Sequence, residues 1–182
     1  MNKFALSFAI SFEHLSRGKR ILEVGSRRVN NANGPDVRTF IPVDIGVDMI
    51  EGPGVDVIAK GEDLPALFGA ESFGMIFSLD TFEHVEKWRE FLRGIWGVLK
   101  KDGILVLTAA SKRKGRHNYP SDYWRLNEDL VREIFKGNEI LFNSELEAIS
   151  FGLAVIKKTD TLDGLEDIRL IRVDDQVPAD LV

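Results

Sequence analysis

The sequence predicts an α/β protein built on a doubly wound, mostly parallel β-sheet. Short apolar runs recur along the chain, and helical patterns stand between several of them. The run at residues 104–109 is apolar throughout, as a central strand covered on both faces should be.

Phe4, Phe8, Phe12 and Leu15 recur at nearly helical spacing, which suits an amphipathic helix within residues 1–17. Glu13 and His14 follow at once and no small-residue cleavage site appears, so a secretory signal is not expected and the cytoplasm is. Residues 19–25 read as a short buried strand ending in a turn. Residues 26–35, rich in Asn, Arg and Gly, read as a loop leading into at most a short helix. A second strand is expected over residues 45–49. Gly52-Pro53-Gly54 forces a turn before a third strand at residues 55–59. Residues 64–68 form a loop or short helix, and residues 74–79 a fourth strand.

Trp88, Phe91, Leu92, Ile95, Trp96 and Leu99 make one apolar stripe at steps of three and four, the clearest helix in the chain. Lys100 and Lys101 suit its carboxyl end, and Asp102-Gly103 is expected to stop it before the fifth strand. Asn127 caps a further helix with Glu128 and Asp129 in its first turn. Two strands around a turn are expected within residues 139–158, and another at residues 168–173.

At 182 residues, with 44% hydrophobic and 29% charged side chains, the chain suits one globular domain, 1–182. It divides into the amino-terminal helix (1–17), a ligand-binding core (19–135) and carboxyl-terminal strands (136–182). The absence of cysteine excludes disulfides, thiolate metal sites and cysteine nucleophiles. His14, His84 and His117 lie far apart in sequence with no spaced ligand pair, so no metal centre is expected. The formal charge of −5 disfavours nucleic acid as a partner, although Lys112, Arg113, Lys114 and Arg116 form a local basic cluster.

In a doubly wound sheet ligands bind beyond the carboxyl ends of the strands. Gly25 follows the first strand, where glycine lets the backbone turn sharply beside a ligand. About twenty residues later such sheets offer an acid to ribose hydroxyls. Asp44 and Asp48 compete for this role, and Asp48 has the better strand-then-turn context. A dinucleotide needs glycines at the three positions of G-x-G-x-x-G, which here read Gly25, Arg27 and Asn30. The residues therefore fit adenosine joined to an amino acid better than NAD.

The ordered segments Ile21-Leu22-Glu23-Val24-Gly25-Ser26-Arg27, Gly46-Val47-Asp48, Gly61-Glu62-Asp63-Leu64-Pro65, Ser72-Phe73, Asp80-Thr81-Phe82-Glu83-His84-Val85 and Val98-Leu99-Lys100-Lys101-Asp102-Gly103 resemble class I S-adenosylmethionine-dependent methyltransferases of the type 11 group. The resemblance implies a Rossmann-like, mostly parallel seven-stranded sheet with an antiparallel carboxyl-terminal strand. It implies S-adenosylmethionine as cofactor and S-adenosylhomocysteine as product. It places Glu23, Gly25, Ser26 and Arg27 at the methionine end and Asp48 on the ribose. Gly61, Glu62 and Asp63 fall near adenine, and Ser78, Leu79 and Asp80 close the pocket. Arg27 stands where many relatives have glycine, and Lys60 where the family's adenine-contacting acid is usual.

His117-Asn118-Tyr119-Pro120-Ser121-Asp122-Tyr123-Trp124-Arg125 combines three aromatics with His, Asp and Arg beyond the fifth strand. It resembles an H-x-Y-P-x-D-Y-W-R element that, in a subset of these enzymes, forms part of the active-site wall. A hydroxyl or amine acceptor needs a base as it loses its proton. By residue type His117 ranks first, Asp122 second and Tyr119 third. The expected activity is methyl transfer to an unidentified small or modest-sized acceptor, with neither a nucleic acid nor a membrane as partner and a homo-oligomer left open. Arg27 and Lys60 motivate the alternative of a catalytically inactive module, and an NAD-dependent oxidoreductase is the weaker rival. Glu83 reads as a helix cap or support, and His84 as packing beneath the cofactor.

Overall fold

The computed structural model describes residues 2–29, 36–117, 121–146 and 149–175. Helix α1 (Lys3–Ser11) starts at Asn2, whose side-chain oxygen accepts from the backbone N–H of Phe4 and Ala5 at 2.9 and 3.0 Å. Strands β1 (Ile21–Val24), β2 (Ile45–Asp48) and β3 (Val57–Ile58) are followed by helix α2 (Leu64–Phe68) and strand β4 (Phe73–Leu79). Helix α3 (Trp88–Val98) leads directly into β5 (Leu99–Ala110). Then come β6 (Trp124–Arg125), α4 (Glu128–Ile134), β7 (Glu139–Leu146), β8 (Ser150–Ile156) and β9 (Ile171–Arg172). No helix among the described residues is long and apolar enough to cross a membrane.

The main sheet has seven strands in the order β3-β2-β1-β4-β5-β8-β7. The first five pair in parallel; β8 is antiparallel to both β5 and β7. This is the expected Rossmann-like α/β sheet, with its reversed strand inside the edge rather than on it. The expected strand at 168–173 shrinks to β9, which joins β6 in a separate two-stranded sheet.

Alternate side chains of the central strands serve the two faces, as the two-residue strand period requires. Leu22, Ile76, Leu105 and Leu107 pack with the α3 stripe and Val131 and Ile134 of α4. Ile21, Met75, Phe77 and Val106 face Phe8 and Ala9 of α1.

The α3 boundary corrects the sequence reading. The helix ends at Val98, and the segment expected as its basic terminus pairs with β4, Leu99 lying opposite Phe73. Buried Lys157, just past β8, donates to the carbonyls of Trp96 and Leu99 at 3.0 and 2.8 Å, satisfying orphan acceptors at the helix end. Asp102 takes a left-handed φ of 59°, where the ladder register shifts before Ile104.

Candidate active site

The strand order reverses between β1 and β4, and a cavity of about 970 Å³ opens at the carboxyl ends there. Such switch points are where open α/β sheets bind ligands, and the volume suits a cofactor with a small second molecule.

One half of the wall comes from β1, β2 and the turn after β3. Gly25 has φ +81°, and a Cβ there would lie 2.0 Å from Thr81 Oγ1, so the ends of β1 and β4 touch and only glycine fits. Asp48 lines the cavity, its Oδ1 accepting from Ile50 N at 3.0 Å and its Oδ2 from Arg27 N at 3.2 Å. Asp44 lies before β2, accepts from Ile21 N at 2.7 Å and does not line the cavity. Of the two acids, only Asp48 reaches the pocket.

Glu23 and Ser26 are buried on the same wall, and Ser26 Oγ has no hydrogen-bond partner among the described residues. Burial pushes the Glu23 carboxyl up to about 8, outweighing the attraction of Arg38 Nε at 3.6 Å, while Asp36 adds to the rise. Arg38 is itself engaged by Asp56 at 2.5 Å.

Arg27, Lys60, Gly61 and Glu62 also face the cavity. Gly61 is held against α3: a Cβ on Gly94 would sit 1.9 Å from the Gly61 carbonyl oxygen. Asp63 stands instead at the start of α2, and Ser78 is buried within β4, so neither lines the cavity. Leu79 and Asp80 do.

The other half is assembled from the loops after β4 and β5. Asp80 has φ 51° and accepts from Thr108 Oγ1 at 3.0 Å and from Asn2 N and Nδ2 at 2.8 and 3.0 Å. The start of α1 is thereby fastened to the end of β4. A 3₁₀ turn, Phe82–His84, then carries Glu83 and His84 to the cavity. The loop after β5 brings His117 to His84, with the two Nε2 atoms 3.3 Å apart.

Behind His117, Asp122 Oδ2 accepts its backbone N–H at 2.9 Å and lies 2.9 Å from Nδ1, outside the direction of a good ring N–H bond. Arg125 grips the same carboxylate at 2.5 and 2.7 Å, both side chains fully buried. Burial raises the Asp122 pKa, but these hydrogen bonds and the Arg125 charge pull it lower still, leaving it below the usual carboxylate range. Asp122 does not line the cavity; it braces His117. Tyr119 lies outside the described residues. Tyr123 reaches the cavity wall, whereas Trp124 packs on the core and donates to Val85 O at 2.8 Å.

Burial lowers the pKa of both histidines, against the pull of the Ser121 carbonyl on His84 and with the added repulsion of Lys114 on His117. Both therefore favour the neutral form, in which one ring nitrogen can accept a proton. Glu83 is fully buried, its carboxyl pushed up to about 8 by burial and by the Asp80 charge.

Sequence reading treated the histidines as separate and read His84 as packing. The signal that links two of them is their position, one just past β4 and one past β5, on adjacent parallel strands. His14 remains exposed near the amino terminus.

Residues 22–107 match the type 11 methyltransferase family model, described as a methyltransferase domain. Among solved structures, a Burkholderia thailandensis 1,6-didemethyltoxoflavin-N1-methyltransferase, determined with 1,6-didemethyltoxoflavin and S-adenosylhomocysteine, is similar at 16% identity. Its TM-score is 0.60, over 85% of this chain and 79% of that one. An S-adenosylmethionine-dependent methyltransferase from Aquifex aeolicus aligns at 17% identity and TM-score 0.59, over 83% and 88% of the two chains. The cyclase SpnF aligns at 17% identity and TM-score 0.62, over 84% and 79%. No curated protein matches the sequence. The matched core and the sheet with its pocket give the chain a methyltransferase-domain match over residues 22–107 and the fold of S-adenosylmethionine-dependent methyltransferases.

Proposed function

We propose that the protein transfers the methyl group of S-adenosylmethionine to an oxygen, nitrogen or carbon of a modest-sized acceptor held against His117 and Tyr123. The observation that carries this reading is a single cavity bounded by Gly25 and Asp48 on one side and by His84, His117 and Tyr123 on the other. Asp48 takes the ribose hydroxyls, and Glu23, Gly25, Ser26 and Arg27 surround the methionine end. Gly61 and Glu62 lie along the adenine. The third residue of that expected set, Asp63, does not line the cavity.

Methyl transfer is a displacement at the sulfonium carbon, so alignment of donor and acceptor is the protein's main contribution. His117, neutral and facing the cavity, takes the acceptor's proton. Asp122 holds the His117 backbone N–H, and Lys114 offers a positive charge to an anionic acceptor.

Calorimetric titration of the purified chain with S-adenosylmethionine and S-adenosylhomocysteine tests the reading. Saturable binding of both, weakened in Asp48→Ala, is expected. Absence of binding to either would overturn it and leave the inactive-module alternative, for which Lys60→Asp is the informative variant.

A further inference from the structure

The pair His84 and His117 is unusual in its polarity. The Nδ1 of His84 faces the carbonyl oxygen of Ser121, and the Nδ1 of His117 lies 2.9 Å from a carboxylate oxygen of Asp122. The Ser121 carbonyl favours a proton on the His84 Nδ1 and leaves its Nε2 with a lone pair, whereas the His117 Nδ1 makes no hydrogen bond, so either of its nitrogens can carry the proton. The two Nε2 atoms stand 3.3 Å apart, within reach of an N–H···N hydrogen bond when His117 carries its proton on Nε2. With the His117 proton on Nδ1 instead, two lone pairs face each other at that distance, and a cation between them removes the repulsion.

Beside them is Glu83, fully buried, with no hydrogen-bond partner for either carboxylate oxygen among the described residues. One ligand atom from each of Glu83, His84 and His117 falls within 4.8 Å of the others. A buried carboxylate without a partner is costly, and a cation is one way to offset that cost.

We infer that Glu83, His84 and His117 form a binding site for a divalent transition-metal cation of the Zn²⁺ type, at the acceptor end of the cavity. The ligand chemistry fits: two imidazoles and one carboxylate suit such ions, and catalytic sites keep a fourth position open. The geometry fits as well. Two metal–nitrogen bonds of about 2.05 Å to atoms 3.3 Å apart subtend roughly 107°, near the tetrahedral angle. Rings directed at one such ion would have centroids about 5.1 Å apart, against the 4.9 Å found. Glu83 completes the set by a shift on the order of 1 Å, or through a water.

The His84 Nδ1 is held by the Ser121 carbonyl, the pattern of metal-binding histidines, and the Asp122 carboxylate stands 2.9 Å from the His117 Nδ1. Asp80 and Asp122 place negative charge around the site, against the positive charges of Lys114 and Arg125.

The consequence for the reaction rests on the methyl-transfer reading of this pocket. The open position faces the cavity, where a hydroxyl oxygen of the acceptor can bind. A bound cation would lower the pKa of that hydroxyl, so its proton passes to solvent water before or during attack in place of transfer to His117, whose Nε2 is then a ligand. The new O–C bond forms as the C–S bond breaks, and sulfur keeps the bonding pair as S-adenosylhomocysteine. The acceptor class implied is a small molecule with an acidic hydroxyl.

The test uses the full chain, stripped with a chelator, dialysed and titrated with Co²⁺ while its visible absorption is followed, then with competing Zn²⁺. The expected result is one Co²⁺ per chain with the intense bands of a low-coordinate site, displaced by Zn²⁺. His84→Ala and His117→Ala should each weaken uptake at least ~10–100-fold, the range lost even when only a supporting group is removed. His14→Ala should leave it unchanged. No saturable uptake, or uptake unchanged in both His84 and His117 variants, would overturn the inference. Titration of the metal-free chain with S-adenosylmethionine separates the two readings: cofactor binding without metal uptake sinks the metal site alone, and the reverse sinks methyl transfer alone.

Discussion

Asp122 serves His117 and Arg125 at once: His117 N donates to its Oδ2 at 2.9 Å, and Arg125 binds both of its oxygens at 2.5 and 2.7 Å. The Arg125 side chain is fully buried, and its remaining bonds run to the carbonyls of Lys114, Gly115 and Trp124. Asp122 thus links the wall of the pocket to a buried ion pair that also holds the loop before His117.

Asp122→Ala leaves that guanidinium buried without its counter-charge. Breaking one side of a buried pair costs about 3–5 kcal/mol. Denaturant unfolding of the variant should show a loss of that order; a loss below about 1 kcal/mol would mean that the carbonyl contacts alone satisfy Arg125.

Asp48→Asn separates shape from charge at the proposed ribose site. The amide keeps one of the two backbone bonds to Arg27 N and Ile50 N but loses the charge-assisted bonds to hydroxyls. Such bonds contribute about 1.5–3 kcal/mol, so S-adenosylhomocysteine affinity should fall roughly 10–100-fold by calorimetry. Unchanged affinity would place the ribose elsewhere.

Gly94→Ala sets two effects against each other. Alanine in a helix interior gains about 0.8–1.0 kcal/mol over glycine. Here its Cβ would lie 1.9 Å from the Gly61 carbonyl oxygen, and backbone must move to admit it. Overpacking typically costs about 1–3 kcal/mol, so the net outcome should be destabilisation together with weaker cofactor binding, because Gly61 lines the pocket. A raised melting temperature would contradict this.

Glu23 gives stability a pH dependence. Its carboxyl titrates near 4.5 when exposed and is pushed up to about 8 in the fold. Between these values the native chain holds a proton that the unfolded chain has lost. The contribution is therefore fully present below about 4.5 and is lost as pH rises through about 8. The melting temperature of Glu23→Gln should fall less than that of the native sequence on going from about pH 5 to about pH 8. Glu83 shifts in the same direction but is common to both proteins, so the difference isolates Glu23. Parallel pH profiles would show that Arg38 keeps Glu23 ionised.

Much of the frame was legible because its signals are local. Asn127 caps α4 as expected, its Oδ1 accepting from Leu130 N at 2.9 Å, because a cap needs only the next three residues. Asp48 was separable from Asp44 because the strand over residues 45–48 puts one acid at its end and the other before its start. The end of α3 was misread for the converse reason. Lys100 and Lys101 suit a helix terminus by charge, but pairing with β4 and capping by Lys157, some sixty residues away, decide the outcome.

The sequence by itself determined the order of strands and helices, the glycine turn at Gly25 and the acid at Asp48, since hydrophobic period and turn chemistry act over a few residues. Only the tertiary structure decided that Asp63 and Ser78 miss the cavity and that Asp122 stands behind His117. It also brought His84 and His117, 33 residues apart, to 3.3 Å. That meeting depends on β4 and β5 lying side by side in parallel, so that the loops beyond their carboxyl ends converge on one edge. Strand adjacency is a property of the packed sheet, and no local pattern encodes it.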